Sequence, residues 1–175
     1  MNRQSITLLL SDLLRRDVLS GTQYASEVKY QKADGALGRV DFVSFRPREQ
    51  RYGPTAAAVE GGKFTAYEVK SCKDDLESGH GLNFIAERNF LVMPMELYRQ
   101  VEGFAEYRDV GVYVPMPYYT GRPTTEQVYA IWENPPELTH VRPDWRLYKI
   151  RSQAVDANRR LSTCELLYAM LKAGR

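Results

Sequence analysis

Cysteine and histidine are scarce in this sequence, with two of each in 175 residues. Cys72 and Cys164 do not make a disulfide framework, and two histidines do not complete a Cys/His zinc site. Long apolar runs are missing too. The run Ile6 to Leu10 is broken by Thr7 and followed by Ser11-Asp12, and no run approaches the roughly 20 residues that a membrane-spanning helix needs. No small-residue cleavage site follows an apolar stretch near the N-terminus, so no signal peptide is expected. A reduced, cytoplasmic protein that does not engage a membrane is the default expectation. Charge of one sign is also lacking: 24 basic residues against 22 acidic leave a net charge of +2. A protein held on nucleic acid by bulk charge alone is usually far more basic, but a nearly neutral body can still carry a local basic face.

What is present is an ordinary globular composition, 43% apolar and 26% charged, long enough to bury a core as one domain spanning 1–175. Basic residues gather at Arg46, Arg48 and Arg51, at Arg142, Arg146, Lys149 and Arg151, and at Arg159-Arg160. Each group reads equally as a solvated face.

Hydrophobic periodicity gives the element order. Ile6, Leu9, Leu10, Leu13, Leu14 and Val18 follow the helical period, predicting a helix over 5–19 capped by Ser5 and stopped at Ser20-Gly21. Extended segments follow at Tyr24–Tyr30, Val40–Phe45 and Phe64–Cys72, the first two joined by a hairpin around Asp34-Gly35. The long connection Arg46–Gly62 reads as an excursion or flap. A polar, helical stretch is expected over Asp74–Arg88, then a strand Phe90–Met93 stopped by Pro94, a weak helix from Met95 to Val101, and a strand Val110–Val114 stopped by Pro115. Residues 115–146 read as a Pro- and aromatic-rich irregular insertion with one strand-like run, Val128–Trp132, before a last strand at Leu147–Ile150. Ser162-Thr163-Cys164-Glu165 has capping-box spacing and opens a C-terminal helix ending at Gly174. The order predicts an α/β or α+β domain, a mixed central sheet covered by helices.

The chemistry concentrates at Asp41, Glu68 and Lys70. Alternate side chains along a strand share a face, so Glu68 and Lys70 point the same way, and Asp41 lies on a strand that can neighbour theirs. An Asp and a Glu meeting from adjacent strands offer hard oxygen ligands suited to Mg²⁺ or Mn²⁺. A lysine two residues beyond the Glu would then reach a metal-bound water or a phosphate oxygen, the minimum for metal-assisted phosphodiester hydrolysis. The Glu-x-Lys triplet alone says little, because the sequence holds two, Glu27-Val28-Lys29 and Glu68-Val69-Lys70. Only the second has a strand-borne Asp upstream and lies among Phe64, Ala66, Tyr67 and Val69, where charge is costly unless paired or metal-bound.

Gly38-Arg39-Val40-Asp41, a gap, then Tyr67-Glu68-Val69-Lys70-Ser71 resembles the signature of the PD-(D/E)XK nuclease superfamily. The element order also resembles that superfamily's restriction-endonuclease-like αβββαβ core. The finer likeness is to the MmcB-like DNA-repair group and its phage-borne relatives. It rests on Ser26-Glu27-Val28, on Lys70-Ser71 followed by Asp74-Asp75-Leu76, on Asn89-Phe90-Leu91-Val92-Met93-Pro94 and on Arg159-Arg160-Leu161-Ser162. It covers roughly residues 5–115 and the last 15. The resemblance implies Asp41 and Glu68 as metal ligands with the Val69 carbonyl, Lys70 as the catalytic lysine, and Glu27 as an assisting acidic residue. Val40 stands where the pattern has proline, which removes no chemistry.

Ser71, Lys73, His80 and Asn83 are candidate DNA contacts, and Ser71, Lys73 and Asp75 could touch phosphate or orient Lys70, against the plainer readings that these residues open a helix with Ser71 or Asp74 as its cap and that His80 is simply exposed. Cys72 would share the face of Glu68 and Lys70 as a small buried residue, and Cys164 would pack within its helix. Tyr118-Tyr119, Trp132 and Trp145 could stack on bases but more simply pack the insertion on the core, and Arg15-Arg16 read as DNA contacts or solvated charge. The expectation is a Mg²⁺- or Mn²⁺-dependent deoxyribonuclease acting on DNA in repair, recombination or phage DNA processing. A homodimer and repair or replication proteins are compatible partners. The alternatives are a non-catalytic DNA-binding accessory module on the same fold, or an interaction domain in which Glu68 and Lys70 form only a surface ion pair. Substrate structure, RNA included, stays open.

Overall fold

In a computed structural model, residues 1–48, 55–78, 83–104, 107–138 and 145–173 are described. The chain opens with helix α1 (Arg3–Asp17), whose apolar stripe buries Leu10, Leu13 and Leu14. Its N-cap is Asn2 rather than Ser5: the Asn2 side chain accepts from the Ser5 N–H, so the helix starts one turn earlier than the apolar periodicity suggests. Strands β1 (Gln23–Gln31) and β2 (Leu37–Arg46) form the expected hairpin. Gly35 takes φ +83°, and the Asp34 carboxylate accepts from Ala36 N–H, which fixes the turn.

The connection to β3 (Lys63–Val69) contains a short helix, α2 (Ala56–Glu60), capped by Thr55; positions 49–54 of that connection lie outside the described residues. Strand β3 ends at Val69, three residues before the expected limit, and α3 (Lys73–Glu77) is five residues long where a longer helical stretch was expected over Asp74–Arg88. Then follow β4 (Arg88–Val92), α4 (Met95–Val101), β5 (Gly111–Pro117), α5 (Thr125–Glu133), β6 (Trp145–Arg151) and α6 (Thr163–Ala173).

Two expectations in the second half are corrected. Pro115 does not stop β5, which runs on to Pro117 against β6. Beyond Tyr113 no β4 residue pairs with β5, so that side of the strand is open and tolerates a residue without an N–H. The run Val128–Trp132 is helical, not extended. Thr124 and Gln127 form a reciprocal capping box, and Val128, Ile131 and Trp132 fall at i, i+3 and i+4 on a face packed against the core. The C-terminal capping box is as expected: Glu165 N–H donates to Ser162 Oγ and Ser162 N–H to the Glu165 carboxylate.

The six strands lie in chain order in one mixed sheet. β1–β2–β3 are antiparallel, β3–β4–β5 parallel, and β6 returns antiparallel to β5. Alternation sorts the side chains into two faces. Tyr67, Val69, Phe90 and Val92 pack with the leucines of α1, while Phe64 and Ala66 pack with Leu166 and Ala169 of α6. Leu91, Met93, Val112 and Val114 pack with α4 and α5. Helices therefore flank both faces of a six-stranded mixed sheet. No described helix is long and apolar enough to cross a membrane.

Candidate active site

β3 is the strand at which pairing changes from antiparallel with β2 to parallel with β4. The β2–β3 ladder runs from Arg46–Lys63 to Phe42–Tyr67 and stops there. The next residues along it are Asp41 and Glu68, whose side chains meet where the ladder opens. Asp41 Oδ2 accepts from the Val69 N–H at 2.8 Å, so a carboxylate takes the place of a ladder carbonyl.

Glu68 is buried, with 2% of its surface exposed, and its carboxyl is hydrogen bonded to Asp41. Burial is the largest cause pushing its pKa up, the Asp41 charge adds to it, and Lys70 only partly offsets them; the result is about 9. Glu68 therefore holds its proton at neutral pH. The Glu68 Oε1 atom is fully buried and has no hydrogen-bond partner.

Lys70 is also buried, at 3% exposure. Its Nζ donates to the Asp75 carbonyl at 3.4 Å and lies 4.0 Å from the Asp75 carboxylate. Asp75, on α3, in turn accepts from Arg3 of α1 at 2.7 Å. A surface ion pair between Glu68 and Lys70 is thereby excluded as the explanation of these residues: both are interior.

The three groups lie in a cleft of ≈ 1060 Å³ that Asp41, Glu68, Val69 and Lys70 help to line. Glu27 lines the same cleft, but its side chain is 60% exposed and pairs with Arg39 at 3.0 Å. Arg39 also reaches to 3.8 Å from Asp41. Glu27 has φ 54°, the one positive value for a non-glycine among the described residues, and it lies between the Ser26–Phe42 and Val28–Val40 pairs, opposite Asp41. Such a backbone costs about 1–3 kcal/mol and tends to mark functional positions.

The candidate DNA contacts divide. Asn83 lines the cleft and donates to the Arg39 carbonyl. Ser71 is 5% exposed with its Oγ unpartnered, and it lines a second cleft together with Lys73, whose ammonium pairs with Glu77. Neither Ser71 nor Asp74 caps α3; the N-cap is Cys72, with no side-chain bond. Because β3 ends at Val69, alternation does not carry Cys72 onto the Glu68 face, and it too lines the second cleft. Cys164 is exposed rather than packed. His80 lies outside the described residues.

Trp145 is buried in the core and Trp132 packs edge-on against Tyr98, so the aromatics of this region mainly pack. Tyr118 is exposed beneath Arg146. Arg16 is tied to Asp17 and to the Trp145 carbonyl, whereas Arg15 lines the cleft. Asp75, which the sequence offers as a residue that could orient Lys70, does lie beside it. Sequence reasoning missed Arg3 and Arg39 as cleft residues. Arg39 carried a usable signal, two positions from Asp41 on the same strand; Arg3 did not, being brought there only by the tertiary fold.

Among the described residues no group of three or more His, Cys, Asp or Glu side chains gathers as a metal cluster. A Mg²⁺-type ion does not need one: it is commonly held by one or two carboxylates, keeps several waters and meets substrate phosphate. Asp41 with the unpartnered Glu68 Oε1 fits that donor set. Comparison of the chain with known protein families, with curated proteins and with solved structures returned no match.

Proposed function

We propose that this chain is a divalent-metal-dependent nuclease that hydrolyses DNA phosphodiester bonds, with Asp41, Glu68 and Lys70 as its active centre. The observation that carries the reading is the buried Glu68 oxygen without a partner, set beside Asp41 and in the same cleft as a buried lysine. Burying Glu68 and Lys70 beside a second, partly exposed acid is expensive unless the arrangement does chemistry. The strand pattern supports it as well: a helix, three antiparallel strands with the short α2 between the second and third, a short helix and a parallel strand are in keeping with a restriction-endonuclease-like order. The resemblance to PD-(D/E)XK nucleases of the MmcB-like group suggests a role in DNA repair, recombination or phage DNA processing.

Asp41 and Glu68 would hold Mg²⁺ or Mn²⁺, with the Val69 carbonyl as a further oxygen donor. When bound, such an ion supplies Lewis-acid stabilisation of phosphate charge and a more acidic water. Asp41 is oriented for this by the Val69 N–H, and Glu68 must give up its proton. Lys70, held at α3 by Asp75, presents a fixed positive charge to the nucleophile and to the charge developing on phosphate. Arg39 holds Glu27 against the same wall.

Cleavage of labelled single-stranded, duplex, flapped and four-way-junction DNA in Mg²⁺, Mn²⁺ or EDTA tests the reading, with Glu68→Ala protein alongside. Metal-dependent cutting by the wild type that the variant lacks is expected. Binding of DNA without cutting under any condition would favour an accessory DNA-binding module instead.

A further inference from the structure

One wall of the cleft is helix α1, and the residues it contributes form a pattern. Arg3, Thr7, Ser11 and Arg15 recur every four positions and all line the cleft, with Leu8 beside them. From Arg3 to Arg15 the helix rises about 18 Å, room for roughly five phosphates at the B-form rise of 3.4 Å per strand and fewer for an extended strand. An arginine stands at each end; between them the Thr7 hydroxyl donates to the Arg3 carbonyl and Ser11 is nearly buried, so the two guanidinium groups are what the wall presents to a ligand. Arg3 is 61% exposed and Arg15 41%, so both guanidinium groups remain available to solvent or ligand alongside their pairs with Asp75 and Asp12. Arg15 also lies over the Phe42 ring at 4.9 Å, which fixes its direction on the cleft side.

The opposite wall is the β1–β2 hairpin, which contributes Lys32, Leu37 and Arg39. Two leucines stand out in this polar setting: Leu8 on α1 is 56% exposed and Leu37 on β2 is 80% exposed. Single exposed leucines need no explanation, but these two line one cleft from its two walls, each next to cationic groups. Arginines interleaved with accessible apolar side chains match a ligand that alternates negative charge with apolar faces. An unpaired polynucleotide strand has that character, because its bases are free to lie against apolar groups. A paired duplex hides those base faces.

We infer that the cleft takes an unpaired polynucleotide strand, its phosphates at Arg3 and Arg15 along α1 and its bases against Leu8 and Leu37. The inference rests on the nuclease reading for what then happens to the strand, but not for the binding itself.

The test is fluorescence anisotropy of the full chain with a labelled 20-nucleotide oligothymidylate and a labelled 20-base-pair duplex, in EDTA so that neither is cut, over a range of salt. The wild type should bind the single strand about tenfold or more tightly than the duplex. Arg3→Gln with Arg15→Gln should reduce the slope of log affinity against log salt by about 1.4, the counterions of two single-strand phosphates. Leu8→Ser with Leu37→Ser should remove the preference for the single strand, and Leu8→Met with Leu37→Met should restore it. Both leucines are exposed, so these changes leave the core intact, which a thermal melt verifies. Equal or tighter binding of the duplex by the wild type, or an unchanged salt slope and preference in the variants, would overturn the inference. The two readings separate cleanly. Strand preference without any metal-dependent cutting supports the binding site and removes the nuclease, while cutting with preferred duplex binding does the reverse.

Discussion

Asp41 and Val69 join two strands at the place where their backbone ladder ends. The Asp41 carboxylate accepts the Val69 N–H at 2.8 Å, one step beyond the last β2–β3 pair, Phe42–Tyr67. The carboxylate thereby has a structural use, and under the proposed function a chemical one as well. One oxygen closes the sheet, and the side chain is left beside Glu68, whose own Oε1 has no partner.

That double use can be separated by two substitutions. Asp41→Asn keeps a carbonyl oxygen able to accept from Val69, so stability should change little, while affinity for Mn²⁺ should fall because a neutral amide replaces a charged ligand. Asp41→Ala should lose the same affinity and in addition about 1 kcal/mol of stability, the worth of a typical hydrogen bond. Calorimetric titration with Mn²⁺ and urea unfolding of the two variants check both halves; unchanged metal affinity in Asp41→Asn would remove Asp41 as a ligand.

Glu68 makes the stability of the metal-free protein depend on pH. Its pKa is raised from the unfolded value of 4.5 to about 9, so the folded state binds the proton more tightly. The stabilisation is fully present below about 4.5 and is lost as pH rises toward about 9, with a slope of at most roughly 1.4 kcal/mol per pH unit between them. Glu68→Gln should flatten that dependence and be the more stable protein at pH 8. Urea unfolding in EDTA at pH 5, 6.5 and 8 measures it, and parallel curves for the two proteins would contradict the assignment.

Gly38 is held small by a neighbour. A Cβ there would lie 2.3 Å from Tyr30 Cζ, and Tyr30 is its cross-strand partner. Gly38→Ala must displace a buried ring, and should lower stability by about 1–3 kcal/mol. A thermal melt matching wild type would show that the ring moves freely.

That Asp41 and Glu68 come together near Lys70, with Asp75 close behind it, was legible in the sequence because strand alternation and an upstream strand-borne acid leave few arrangements. What joins Asp75 to Arg3 was not, since a contact between residues 72 positions apart has no local signal. The α5 helix was hidden for a different reason. Val128–Trp132 mixes β-branched and aromatic residues that favour strands, and the decision belonged to the Thr124–Gln127 capping box just before it. Asn2 likewise starts α1 from outside the apolar pattern, and Pro115 reads as a stop only until the open side of β5 is known.

The most direct test of the central claim is the rate of Mn²⁺-dependent DNA cleavage by wild-type protein and by Lys70→Ala, with Mn²⁺ affinity measured on both. Lys70 is buried beside the carboxylates and held from α3, so its loss should leave metal binding largely in place and lower the rate by about 10² to 10⁴. A variant that cuts at the wild-type rate, or a wild-type rate that persists in EDTA, would contradict the assignment of Asp41, Glu68 and Lys70 as a metal-dependent active centre.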